Sequence, residues 1–298
     1  MVEARGPGAY RPGFASPGRA DMNPPSPDLA ARRRSFRKLH EAGCFVIPNP
    51  WDAGSARYLE RLGFKALATT SSGGAWARGR ADGSFTLEET LRYVREIAEA
   101  TSLPVNADFE SGYAKDPAGV ARNVRLAIDA GAAGISIEDS TGDPSDPLRD
   151  VASAVARMEA ARRAIDESGT QTLLIGRAEN FLLGKPDLED TLKRLRAYSD
   201  AGADVLYAPG IKTAEQISAV VKAAGPKPVN LLVGSASPLT LREIEALGVR
   251  RVSVGGALAR VAWGGFMRVA REIAAEGRFD GFAGAASGAE LNGFFGPP

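Results

Sequence analysis

The sequence predicts an α/β fold, a (β/α)8 TIM barrel in which eight parallel strands make a closed sheet. Three observations carry this. Short β-branched or apolar runs alternate eight times with longer helical patterns. Several helical stretches end in a glycine suited to a left-handed cap, as in EAGC, RLGF, DAGADV and EALGV, and lead straight into the next apolar run. Eight such units within about 230 residues match a barrel of this kind, and no GxGxxG follows the first run, as an open doubly wound sheet would require.

In chain order, residues 1–27 are rich in Pro, Gly, Ala and Arg and carry no apolar period, so they are expected to be a disordered N-terminal segment, with Met22 an alternative start. The catalytic barrel is expected over 28–276. Its strands are read at 44–48 (CFVIP), 66–70 (ALATT), 105–108 (VNAD), 134–138 (GISIE), 172–177 (TLLIGR), 205–208 (VLYA), 229–233 (VNLLV) and 251–254 (RVSV), each followed by a helix. Residues 277–298 form a Gly-rich C-terminal tail in which Leu291, Phe294 and Phe295 offer an anchor.

The chain has 298 residues, with 37 Lys plus Arg against 36 Asp plus Glu. A formal charge of +1 gives no field to gather nucleic acid or anionic membrane. No apolar run reaches the roughly 20 residues of a membrane helix, and no apolar signal core opens the chain, so a cytoplasmic protein is expected. The lone cysteine, Cys44, excludes an internal disulfide and a cysteine zinc cage, and the lone histidine, His40, excludes HExxH hydrolysis.

In such barrels chemistry sits at the C-terminal strand ends, and here those ends are acidic. Strand three ends in Asn106-Ala107-Asp108-Phe109-Glu110, with Asp108 and Glu110 on one face. Strand four ends in Ser136-Ile137-Glu138-Asp139 and strand five in Arg177-Ala178-Glu179, while strand two runs into Thr69-Thr70-Ser71-Ser72-Gly73-Gly74 with Asp82 beyond. Carboxylates converging without histidine or cysteine make a hard-oxygen site suited to Mg2+ or Mn2+. A single acid at such a junction is as often a helix N-cap or the partner of a loop arginine. The segment 253–258 (SVGGAL) is a weaker candidate, as a phosphate cradle at a helix N-terminus. No lysine lies at a strand C-terminal end, which disfavours Schiff-base chemistry.

With these residues in view, 39–279 resembles the isocitrate lyase and phosphoenolpyruvate mutase superfamily. Pro48-Asn49-Pro50-Trp51-Asp52-Ala53-Gly54-Ser55-Ala56, Asp108-Phe109-Glu110-Ser111-Gly112-Tyr113, Gly134-Ile135-Ser136-Ile137-Glu138-Asp139 and Arg177-Ala178-Glu179 are similar to its successive motifs. The resemblance implies a Mg2+-dependent enzyme, a lyase or decarboxylase acting on a small 2-oxo or 2-hydroxy carboxylic acid through a metal-stabilised enolate. It implies Asp108 and Glu138 as metal residues, with Asp82 and Glu110 nearby. Thr70, Ser71, Ser72, Arg177 and Asn230 are then substrate-binding, and Arg177, Glu179, Glu110 and Asp82 catalytic. It also implies a homo-oligomer, tetramer or dimer, built through the helix near 257–275.

The chain departs from the lyases in one loop. Where they carry K-K-C-G-H, with a cysteine as general acid, residues 140–148 read STGDPSDPL. After strand six, the mutase histidine and the lyase glutamate are replaced by Ala208-Pro209-Gly210. The proton carriers left near the site are Glu110, Glu179, Tyr113, Ser140, Thr141 and metal-bound water, since Cys44 and His40 belong to the opposite end of the barrel. Three functions compete: the lyase or decarboxylase, with phosphonopyruvate-type P–C chemistry as its nearest alternative; a phosphate-binding barrel using 253–258; and a catalytically silent barrel serving binding or assembly.

Overall fold

A computed structural model describes residues 28–296, and the expected disordered segment 1–27 lies outside the described residues. The elements run α1 (Leu29–Leu39), β1 (Phe45–Ile47), α2 (Ala53–Arg61), β2 (Leu67–Ala68), α3 (Ser71–Ala77), α4 (Leu87–Ala100), β3 (Val105–Asp108), α5 (Pro117–Asp129), β4 (Gly134–Glu138) and α6 (Val151–Glu167). They continue with β5 (Leu173–Arg177), α7 (Leu188–Asp200), β6 (Val205–Tyr207), α8 (Ala214–Ala224), β7 (Val229–Leu232), α9 (Leu241–Ala246), β8 (Arg251–Ser253), α10 (Ala257–Glu276), a 3-10 turn (Asp280–Gly284) and α11 (Gly288–Phe295).

All eight strands pair in parallel in the order β1-β8-β7-β6-β5-β4-β3-β2. The Ala68 amide donates to the Pro48 carbonyl at 3.1 Å across the remaining seam, so the sheet curls into a (β/α)8 barrel. The outer core packs α5, α6 and α7 on the sheet through Val124, Met158, Ile165, Leu195 and Tyr198.

The N-terminal mouth is stoppered by α1. Phe36 is fully buried among Ile47, Leu173, Ile175 and Val205, the inward residues of the barrel floor, a burial worth about 1.5–3 kcal/mol. Arg33 rivets the helix by donating to the carbonyls of Ala132 (3.1 Å) and Ile128 (2.8 Å). Gly134 is what admits the stopper, since a Cβ there would lie 2.7 Å from the Phe36 ring.

His40, just after α1, is buried with Nδ1 2.8 Å from the Phe36 carbonyl, and burial pushes its imidazole down to about 3. Cys44 lies at the foot of β1, where burial raises its thiol to about 11. A neutral imidazole and an un-ionised thiol at this end of the barrel are structural. At the other end of the chain, the segment read as a Gly-rich tail carries the 3-10 turn and α11. Phe294 packs on Tyr58, and Arg61 donates to the carbonyls of Gly293 and Gly296. Among the described residues, no helix is long and apolar enough to cross a membrane.

Candidate active site

Strand alternation and register bring the acids together. Glu138 pairs with Arg177 across β4 and β5, Asp108 with Ser136 across β3 and β4, and Arg177 with Tyr207 across β5 and β6. The Arg177 guanidinium becomes the hub. Nη1 lies 2.6 Å from Asp108, and Nη2 lies 3.2 Å from Glu138 and 2.9 Å from Glu179. The Tyr207 ring sits 5.1 Å from its central carbon, a cation–π contact. Three anionic partners raise Arg177 well above its ordinary value against the opposing effect of burial.

The acids carry the reverse burden. Burial pushes Glu179 up to about 8, with Arg177 pulling it down and Glu138 and Asp139 pushing it up. Glu138 also rises, chiefly by burial, as does Asp82, whose second cause is the Asp108 charge. Glu110 reaches about 7 through burial and the charges of Asp108, Glu138 and Asp82, offset in part by Tyr113. Burial thus works against full ionisation of the cluster, and Arg177 works for it.

Three further devices fix the geometry. Thr70 caps α3 through the Gly73 amide and contacts the Ser72 hydroxyl at 3.1 Å. The Ser71 amide (3.1 Å) and hydroxyl (2.9 Å) both donate to Asp108. The glycines here answer to packing: a Cβ on Gly73 would come 2.6 Å from Thr70, and one on Gly74 2.9 Å from the Tyr93 ring. After β3 the chain takes a left-handed course at Glu110 (φ 44°), Gly112 (84°) and Tyr113 (52°). Two side chains pin its carbonyls: Arg157 holds Ser111 and Ala114, and Asn123 holds Gly112 and Tyr113. Such strain persists only where the surroundings overdetermine it. Asp139, facing away from the barrel interior, accepts from the Glu179 amide (2.8 Å), Tyr198 and Arg194, and so positions the start of the β5 loop.

The sequence reading missed Arg157, Asn123, Tyr198 and Arg194, because each acts on backbone or on a partner far along the chain. Of the expected residues, Thr70, Ser71, Ser72, Asp82, Asp108, Arg177 and Asn230 line one cavity of about 180 Å3 at the C-terminal mouth. Glu138 and Glu179 stand around Arg177. The short 140–148 loop is a tight hairpin in which Ser140 donates to Glu138 at 2.6 Å, whereas the Thr141 hydroxyl turns back to the Asp146 carbonyl. Thr141 is thus not brought to the cluster. The phosphate-cradle reading of 253–258 is corrected as well, since the amides of Val254 (3.0 Å) and Gly255 (2.8 Å) are already spent on the Asn49 side chain. Next to the acids opens a larger apolar lobe of about 600 Å3 walled by Trp76, Leu182, Ile211, Leu232, Val233 and Leu239, which no motif announced.

Asp108 and Glu138, expected to ligate a metal, are engaged by Arg177, and among the described residues no three acidic, histidine or cysteine side chains converge at ligating distance. The donor set nevertheless fits a hard divalent cation. It consists of oxygens only, it holds more negative charge than Arg177 balances, and the buried Glu110 Oε1 has no hydrogen-bond partner. Mg2+ takes one or two carboxylates and keeps several waters, so a convergent cage is not required.

A closed (β/α)8 barrel with a buried arginine–carboxylate hub and an adjoining cavity at its C-terminal mouth has the architecture of a barrel enzyme. Comparison with known proteins places it further. A family model for phosphoenolpyruvate phosphomutase matches residues 36–274. An oxaloacetate decarboxylase of Paraburkholderia xenovorans is 32% identical over 236 residues, 76% of this chain and 75% of the relative. A solved structure from Burkholderia cenocepacia J2315, described only at the level of a lyase/mutase, is 47% identical with a TM-score of 0.87 over 91% of this chain and 97% of that one. The structure of a 2,3-dimethylmalate lyase aligns with 27% identity and a TM-score of 0.79 over 92% and 96% of the two chains. The chain belongs to the isocitrate lyase and phosphoenolpyruvate mutase superfamily, and it is an enzyme of that superfamily.

Proposed function

We propose that this protein is a divalent-metal-dependent lyase or decarboxylase acting on a small 2-oxo or 2-hydroxy carboxylic acid. The observation that carries the reading is Arg177 in the grip of Asp108, Glu138 and Glu179, beside a cavity whose wall holds Thr70, Ser71 and Ser72. A bound Mg2+ or Mn2+, held by Asp108 with Glu110, Glu138 and Asp82 around it, would supply Lewis acidity at the substrate's C2 oxygen.

The chain's own residues do the rest. Ser72, next to the Ser71 and Gly73 amides that Asp108 and Thr70 already engage, orients the C1 carboxylate. Arg177 faces negative charge growing at C2, and Glu179 and Asp139 hold that guanidinium and its loop in place. Glu110, held in a left-handed turn after β3 and with one oxygen unpaired, is the chain's carboxyl placed to carry a proton without the lyase cysteine. The apolar lobe favours an acid with an alkyl substituent. P–C bond chemistry is the second reading, favoured by the family model's phosphomutase description.

The helix α10 exposes Val261 (73%), Phe266 (62%), Trp263 and Met267. An apolar face of this kind supports assembly with further copies of the chain.

The test is thermal stabilisation by oxalate, a mimic of the enolate of pyruvate. It should require Mg2+ and vanish in Asp108→Ala with the fold retained. Oxalate stabilisation that survives in Asp108→Ala would defeat the metal assignment, and turnover of phosphonopyruvate but not of oxaloacetate would favour the second reading.

A further inference from the structure

A barrel interior of this type ordinarily fills with branched apolar side chains. Here the inward positions of β3, β4, β6, β7 and β8 below the mouth carry Asn106, Ser136, Tyr207, Asn230, Arg251 and Ser253, all buried and all bordering the mouth cavity. Above the apolar floor around Phe36, the interior is a largely polar chamber.

Its two cations are treated in opposite ways. Arg177 has three carboxylates, whereas Arg251, 2% exposed at the start of β8, has no ion-pair partner among the described residues. Its Nε donates to Asn230 Oδ1 at 2.8 Å, while Nη1 is buried without any acceptor. Asn230 cannot neutralise it, and its own amide is committed to Ser253 at 2.9 Å. The nearby titratable groups bring no negative charge. Burial holds the Tyr207 phenol protonated, up at about 12, and the His40 imidazole neutral, while Arg177 adds like charge. Burial draws Arg251 itself down to about 10, which leaves it charged at neutral pH. A buried guanidinium with a free donor and no counter-charge is costly to keep, and an anion that supplies both acceptor and charge removes the cost.

We propose that Arg251 is the receptor of an anion site inside the barrel, beneath the acid cluster, and that it takes a carboxylate or a planar monoanion of similar size. The guanidinium fork suits that geometry, and the cavity of about 180 Å3 that Arg251 lines also reaches Asp108 and Ser72. The site stands on Arg251 and its surroundings alone and does not depend on the lyase reading. Two sources share this chemistry: the far carboxylate of a dicarboxylic substrate, or a free anion such as formate.

Formate is the probe. In EDTA, so that no metal contributes, formate should raise the melting temperature of the wild-type protein saturably, by roughly 3–5 °C at about ten times its Kd, beyond sulfate at matched ionic strength. Arg251→Met, similar in length and uncharged, should not respond, and Arg251→Lys should respond more weakly than wild type. A wild-type protein indifferent to formate, or an Arg251→Met protein that responds as the wild type does, would overturn the proposal. The wild-type titration decides even if the methionine variant does not fold. Malate then separates the sources: competition with formate assigns the site to a substrate's far carboxylate, and simultaneous binding assigns it to a free anion.

Discussion

Replacing Arg177 with methionine removes the positive charge from between Asp108, Glu138 and Glu179 while keeping the apolar reach of the side chain. At 2.6–3.2 Å, each ionised partner loses a gross attraction of about 5–6 kcal/mol at an effective dielectric of 20. Much of that attraction offsets desolvation, so the net loss expected for breaking one side of such a buried cluster is about 3–5 kcal/mol. The loss should depend on pH. Glu179 and Glu138 already sit above their ordinary values in the folded state, so they destabilise the fold increasingly as pH rises from the unfolded carboxylate range through about 8. Without Arg177 their values rise further. Near pH 5 Glu179 and Glu138 are then neutral and the deficit should shrink to what the lost Asp108 pair contributes, whereas at pH 8 the full deficit appears as a melting temperature lower by about 6–20 °C. Thermal melts of both proteins in EDTA from pH 5 to 9 measure this directly. A deficit independent of pH, or an Arg177→Met protein as stable as wild type at pH 8, would refute the account of Arg177 as the neutralising hub.

Glu110→Gln should lower turnover of a true substrate by about 10²–10⁴-fold and abolish the limb of the pH–rate profile that Glu110 contributes, which a stopped or continuous assay across pH 5–9 would show. If Glu110 donates its proton, the wild-type rate falls as pH rises through that limb. Cys44→Ala should retain turnover, and thiol alkylation should not selectively abolish it, because the raised thiol value and its place at the foot of β1 keep it out of the chemistry. Phe266→Asp on the exposed face of α10 should reduce the molecular mass measured by light scattering to that of a smaller assembly, and an unchanged mass would remove α10 from the interface.

The barrel was legible because its punctuation is local. The glycines after helices α1, α2, α7 and α9 sit at positive φ, at Gly43, Gly63, Gly202 and Gly248, where the pattern in the sequence placed them. Strand β2 proved shorter than 66–70, because Thr70 leaves the ladder to cap α3 and two glycines disguised that helix as a loop. The acids could be found by period-two alternation, and the resemblance named their neighbours. What alternation could not show is that Arg177 collects three of them at once, that Arg157 and Asn123 clamp the carbonyls after β3, or that Asn230 turns its oxygen to Arg251. Those contacts join residues from 2 to 69 positions apart, and they depend on how the sheet closes rather than on any pattern along the chain.

The stopper helix α1 has a consequence for the order in which the protein assembles. Its socket does not exist when it leaves the ribosome: Arg33 bonds to carbonyls 95 and 99 residues further on, and Phe36 rests against Gly134 and side chains of β5 and β6. This helix, the first of the described residues, is therefore complete before more than half of the barrel that receives its aromatic side chain has been synthesised. Contacts of such sequence separation close slowly. Docking of α1 therefore needs β4, β5 and β6 to be in place, and it ties the start of the described chain to the middle of the sheet.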